Sequence, residues 1–208
     1  MEDIDYSLYL VTNSTDKRNQ EFLNIVEDSL KGGVSVVQVR EKELDLIPFY
    51  EKAKAVKEIT DKFDVPLIIN DRLSIAIALG ADGAHVGQDD IDGAVARDIL
   101  GPDRILGISA STVEEAVKAE EDGADYIGCG AVFPTSTKDD ADSVDIEEFK
   151  KIKKAVSIPV IAIGGIKENN VKELKGSNAD GIAVVSAIMD SDNPEKTSEN
   201  LLNEFKNL

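Results

Sequence analysis

A chain of 208 residues with 42% hydrophobic content supports one medium-sized core and leaves little room for a second independent domain. Its formal charge of −18 opposes non-specific attachment to nucleic acid or to an anionic membrane, and no apolar run approaches the length that crosses a bilayer. The acidic start Met1-Glu2-Asp3 lacks the basic flank of a secretory signal, so the expectation is a soluble, cytoplasmic protein.

In chain order, apolar runs bounded by turn residues predict strands near 7–12, 34–40, 66–70, 83–87, 105–110, 126–130, 159–164 and 181–186. Amphipathic helical spacing falls between them, clearest over 46–63, 112–122 and 145–156, and 194–207 closes the chain. Runs such as Pro159-Val160-Ile161-Ala162-Ile163 are apolar on both faces, which suits a parallel sheet covered by helices. Similar turns introduce alternate strands: Gly32-Gly33-Val34, Gly80-Ala81-Asp82-Gly83, Gly123-Ala124-Asp125 and Asn178-Ala179-Asp180-Gly181. Eight regular units without a linker predict an α/β fold, a single-domain (β/α)8 TIM barrel over 1–208; a doubly wound open sheet is the alternative. The lone cysteine, Cys129, cannot form an internal disulfide and reads as filler in a buried strand.

In such a barrel the working residues sit where strands end, on one mouth. Strand two runs into Gln38-Val39-Arg40-Glu41-Lys42, where every second side chain points the same way, so an amide, a guanidinium and an ammonium converge on one ligand. The competing reading is a solvated strand end paired with Glu41, Glu43 and Asp45. Asn70-Asp71-Arg72 and Gln88-Asp89-Asp90 follow strands three and four, and two carboxylates at neighbouring strand ends can share a hard cation such as Mg2+. Taken singly, each aspartate is equally a helix cap.

Ser109 ends strand five. Strand six hands over to Phe133-Pro134-Thr135-Ser136-Thr137-Lys138, a run of hydroxyls and an ammonium suited to a phosphate. The following acidic run, Asp139 to Asp142, is read as a solvated loop or a closing lid. Gly164-Gly165 after strand seven lets backbone N–H groups approach an oxyanion, above all where a helix follows, and lies beside Val185-Ser186 at the end of strand eight. His85, the only histidine, lies within strand four and is read as structural, away from the mouth.

Gln38 to Lys42, Ile69-Asn70-Asp71-Arg72, His85 to Asp90, Gly107-Ile108-Ser109, Gly128 to Lys138 and Ile163-Gly164-Gly165-Ile166, in that order, resemble the thiamine phosphate synthase family across nearly the whole barrel. The resemblance implies an alkyl transfer: 4-amino-2-methyl-5-hydroxymethylpyrimidine diphosphate joins 4-methyl-5-(2-phosphoethyl)thiazole, giving thiamine phosphate and pyrophosphate. It further implies that Gln38, Val39, Arg40, Glu41, Lys42, Asn70, Ser109 and Lys138 meet the pyrimidine diphosphate, with Arg40, Lys42 and Lys138 catalytic. Thr135, Ser136, Thr137, Gly165, Val185 and Ser186 would hold the thiazole phosphate, and Asp71 and Asp90 would hold Mg2+ as cofactor. The chain departs from the family pattern at Ala131, where a proline is common, and at Ser111, where a histidine is common. Partners are then small phosphorylated molecules, with no nucleic acid or membrane, and the oligomeric state stays open, a homodimer among the options.

Two rivals follow from the same residues. A thiazole tautomerase on a similar barrel would need an acid–base group in the strand-six loop, where no histidine stands. A non-catalytic phosphate-binding protein would not need Lys138 or the paired aspartates.

Overall fold

Short strands with two apolar faces can be buried on both sides only if the sheet closes on itself inside a jacket of helices. The computed structural model describes residues 4–13, 19–135 and 143–208 and has that architecture. Strands β1 (Leu8–Val11), β2 (Val36–Val39), β3 (Leu67–Asn70), β4 (Gly83–Val86), β5 (Ile105–Ala110), β6 (Tyr126–Cys129), β7 (Val160–Ile163) and β8 (Gly181–Val184) form a closed barrel in sequence order. Every neighbouring pair is parallel, and β8 returns to β1 through Leu8↔Ile182 to Leu10↔Val184. Each strand lies inside the run that predicted it.

Side-chain alternation sorts the core into two layers. Tyr9, Val11, Val36, Ile68, Ile105, Tyr126, Ile161 and Ala183 fill the barrel interior, while Leu8, Leu10, Val37, Val39, Leu67, Ile69 and Ile127 face the helices. Cys129 belongs to the outer layer, fully buried, and burial pushes its thiol up to about 12. It is a packing residue.

The helices are α1 (Asn19–Lys31), α2 (Leu46–Phe63), α3 (Leu73–Leu79), α4 (Gly93–Leu100), α5 (Val113–Glu121), α6 (Ile146–Ala155), α7 (Ser186–Met189) and α8 (Pro194–Lys206). α2 turns Phe49, Ala53, Val56 and Ile59 inward at helical spacing and stops where Asp64 adopts a left-handed φ of 55°. α5 opens on a capping box between Thr112 and Glu115, and α6 on Asp145 accepting from the Glu148 N–H at 2.8 Å. The alternation departs from regularity at one connection, where a 3₁₀ turn, Val171–Leu174, stands between β7 and β8 in place of an α-helix. The Asn170 side chain ties the start of that turn by accepting from the Lys167 N–H and donating to the Gly165 carbonyl.

The repeated turns have a common role at the bottom of the barrel. Asp82, Asp125 and Asp180 each accept a backbone N–H from the first or second residue of the preceding strand, at Leu67 (2.8 Å), Leu106 (2.7 Å) and Val160 (2.7 Å). The repeat therefore fixes strand order at the end opposite the mouth, where these barrels keep stability determinants.

Candidate active site

At the carboxyl ends of the strands lies a cavity of ≈380 Å³. Gln38, Arg40, Lys42, Asn70, Asp71, Asp90, Ser109, Thr135, Gly165, Val185 and Ser186 all line it, as do Gln88 and Asp89. With Tyr9 and Val11 of β1 also in the lining, every strand or the loop that follows it contributes to one mouth. Ser136, Thr137 and Lys138, and the expected lid to Asp142, lie outside the described residues.

Two residues expected at the ligand are turned away. Val39 is packed in the outer layer, and Glu41 is buried with its carboxylate 3.6 Å from the Lys52 ammonium of α2. Both follow from the alternation that sends Gln38, Arg40 and Lys42 inward: the odd members of the run must face the helices.

Asp71 and Asp90 lie side by side on adjoining strand ends. The Asp71 N–H donates to the His85 carbonyl at 2.8 Å, and the residue takes a left-handed φ of 60°. Asp90 is anchored by accepting the Gly87 N–H at 2.7 Å. Burial, then the Asp90 carboxylate beside it, pushes the Asp71 carboxyl up to about 6, with Lys42 and Arg40 pulling the other way. Two carboxylates held together at that cost favour a hard cation between them. Among the described residues no cluster of three or more His, Cys, Asp or Glu side chains could hold a metal. Two carboxylates are too few to enclose a metal by themselves, and a hard cation there would need further oxygens from a phosphorylated ligand or water.

Beneath the mouth a buried polar network crosses the barrel interior. Gln38 Nε2 donates to the Tyr9 hydroxyl (2.8 Å), which meets the Tyr126 hydroxyl (2.7 Å); Tyr126 meets His85 Nδ1 (3.0 Å), and His85 Nε2 meets Ser109 Oγ (2.9 Å). Burial pushes both phenols above their ordinary range, so they are neutral hydroxyls. His85 is therefore not remote from the ligand, as its mid-strand position suggested, but part of the cavity floor. The available signal was parity: Ala84 and Val86 face the helices, so His85 must face inward. Nothing in the sequence singles out Tyr9 and Tyr126, because no local signal reveals which strand levels meet inside a closed barrel.

Gly164 and Gly165 adopt φ of 100° and 67°. A side chain on Gly165 would collide with the Phe133 and Pro134 carbonyls, so glycine lets the β6 and β7 loops touch. No helix follows Gly165 directly. The helical turn on this side of the rim begins instead at Ser186, whose first N–H groups have no partner inside the helix.

The family model for thiamine monophosphate synthase matches residues 8–188. A thiamine-phosphate synthase of Methanobrevibacter smithii is 58% identical over 206 residues, covering 99% of this chain and 98% of that protein. One from Clostridium tetani is 50% identical over 204 residues, covering 98% of each. Among solved structures, a thiamine phosphate pyrophosphorylase from Pyrococcus furiosus superposes with a TM-score of 0.90 at 36% identity, over 98% of this chain and 97% of that one.

Proposed function

This chain belongs to the thiamine monophosphate synthase family, and we propose that its rim performs that family's condensation. The enzyme is a transferase of thiamine biosynthesis: it joins 4-amino-2-methyl-5-hydroxymethylpyrimidine diphosphate to 4-methyl-5-(2-phosphoethyl)thiazole, yielding thiamine phosphate and pyrophosphate. The observation that carries the site reading is one cavity in which Arg40 and Lys42 face the paired carboxylates Asp71 and Asp90. Cations and carboxylates in one mouth are the chemistry of a magnesium diphosphate.

In the reaction, the bond from the pyrimidine methylene carbon to the diphosphate oxygen breaks, with its electron pair leaving on oxygen. The aminopyrimidine ring delocalises the positive charge left behind. The thiazole nitrogen then gives its lone pair to that carbon and becomes the thiazolium. No protein nucleophile is required. Arg40 and Lys42, and Lys138 by the family resemblance, neutralise the departing diphosphate. Asp71 and Asp90 would hold Mg2+, which when bound supplies further neutralisation of diphosphate oxygens. Thr135, Gly165, Val185 and Ser186 line the cavity, and the family resemblance assigns them, with Ser136 and Thr137, to the thiazole phosphate. Asn70 and Ser109 face the pyrimidine half. The substrates are small, diffusible anions, and with an acidic chain this suits work in the cytoplasm. No helix among the described residues is long and apolar enough to cross a membrane.

The test mixes purified protein with both substrates, with and without Mg2+, and reads thiamine phosphate by mass and pyrophosphate by a coupled assay. Product and pyrophosphate in equal amounts, only with both substrates and the cation, is the expected result. Absence of product under all conditions would overturn the assignment; product at full rate without any divalent cation would overturn the role given to Asp71 and Asp90.

A further inference from the structure

The hydrogen-bond network under the cavity has a direction, and the direction has a chemical consequence. Each phenol carries one proton. With Gln38 Nε2 donating to the Tyr9 oxygen, the assignment that gives each phenol proton an acceptor has Tyr9 donating to Tyr126 and Tyr126 donating to His85 Nδ1. A neutral imidazole with Nδ1 accepting carries its proton on Nε2, which donates to Ser109 Oγ. The Ser109 proton is left for the cavity. At the other end Gln38, which lines the cavity, spends its NH2 on Tyr9 and keeps Oε1 as its remaining acceptor.

With the Gln38 amide in this orientation, reversing any one link leaves a buried proton without an acceptor or the imidazole without its proton, so the network is set as a whole. Its members are held in place by packing. Tyr9 and Tyr126 are each 1% exposed, and Gln38 4%. His85, Gly107 and Tyr126 stand at one level on β4, β5 and β6. A side chain on Gly107 would run into both the Tyr126 phenol and the His85 ring, so glycine in the middle strand is what lets its two neighbours meet above it.

We propose that this relay makes Tyr126 and His85 positioning residues for substrate selection: it presents Gln38 Oε1 as an acceptor and the Ser109 hydroxyl as a donor, and so selects a 4-aminopyrimidine over its 4-oxo counterpart. The inference rests on the reaction proposed above. A 4-aminopyrimidine offers an amino donor and unprotonated ring nitrogens, which match that pair. The 4-oxo ring offers a carbonyl where the amine stood and a protonated ring nitrogen beside it, so an acceptor meets Gln38 Oε1. A site built on buried, oriented polar groups rejects such a mismatch because one of its groups is left unpaired.

The direct test labels histidine with 15N and 13C. His85 is the only histidine, so one ring gives the whole signal. The expected result near neutral pH is a bare Nδ1 and a protonated Nε2. A ring protonated on Nδ1, or an even mixture of tautomers, overturns the relay. This measurement needs no substrate and no variant, so it stands or falls apart from the assigned reaction.

The second test measures by calorimetry the binding of the unreactive 4-amino-2-methyl-5-hydroxymethylpyrimidine monophosphate and of its 4-oxo analogue. Wild type should prefer the amino compound, and Tyr126→Phe should shrink that preference by about 10- to 100-fold while leaving the KM for the thiazole phosphate unchanged. Tyr9→Phe breaks the chain one link earlier and should act in the same direction if Tyr126→Phe does not fold. Equal binding of both compounds to wild type, or a preference unmoved by either variant, refutes the selection. An intact tautomer and preference with no thiamine phosphate formed would instead sink the assigned reaction.

Discussion

Asp71→Asn should stabilise the cation-free protein while removing its activity. The Asp71 carboxyl is raised from 3.8 to about 6 by burial and by Asp90. An acid raised in the folded state binds its proton more tightly there than in the unfolded chain. Its contribution to stability is complete below 3.8 and is lost as pH climbs through about 6. A displacement of that size corresponds to about 3 kcal/mol. Asp71 is only half-buried, and allowing for solvent screening leaves about 1–1.5 kcal/mol. Asparagine keeps the shape, carries no charge and tolerates the left-handed φ of 60° that this position demands. In chelator, the variant should therefore match wild type near pH 4 and melt about 2–5 °C higher at pH 7.5. Added Mg2+ should raise the wild-type midpoint at pH 7.5 and leave the variant unmoved, reversing their order. Thermal unfolding at pH 4, 5, 6 and 7.5, with chelator or Mg2+, supplies the curves. A variant equal to wild type at every pH in chelator would refute the repulsion argued for this pair, and an equal Mg2+ response in both would refute the cation site.

Arg40→Ala and Lys42→Ala should each lower kcat/KM by about 10²- to 10³-fold with little change in melting temperature, because both lie on the rim and face the cavity; steady-state kinetics beside circular dichroism checks this. Gly107→Ala forces a methyl group against Tyr126 and His85 and should cost about 1–3 kcal/mol in denaturant unfolding, along with the selectivity for the aminopyrimidine. Arg97→Ala should cost about 2–4 kcal/mol with kcat unchanged. Its guanidinium donates to the Gly101, Arg104 and Gly123 carbonyls and pairs with Asp125 at 2.5 Å, all at the end of the barrel away from the mouth.

The strands were legible because each is a short apolar run closed by turn residues, and that signal is local. The rim residues were legible for the same reason: a residue just past the end of a parallel strand faces the mouth whatever the neighbouring strands do. Treating Gln38 to Lys42 as one contiguous binding run was too generous, since period-two alternation hands Val39 and Glu41 to the helix layer. The β7–β8 connection misled because eight similar strands suggested eight similar helices. Residues 164–180 there carry one 3₁₀ turn, Val171–Leu174, in place of an α-helix.

Amino-acid order alone determined the barrel, its mouth and the cations and carboxylates around it, since these depend on periodicity and on where each strand stops. Tertiary structure alone decided which inward side chains share a level: that Tyr126 of β6 reaches across Gly107 to His85 of β4, that Tyr9 joins them to Gln38, and that Asp71 is raised by burial and then by Asp90. The physical reason is that the level of each strand is fixed by the stagger of every pairing around the closed ring. No single segment carries that sum.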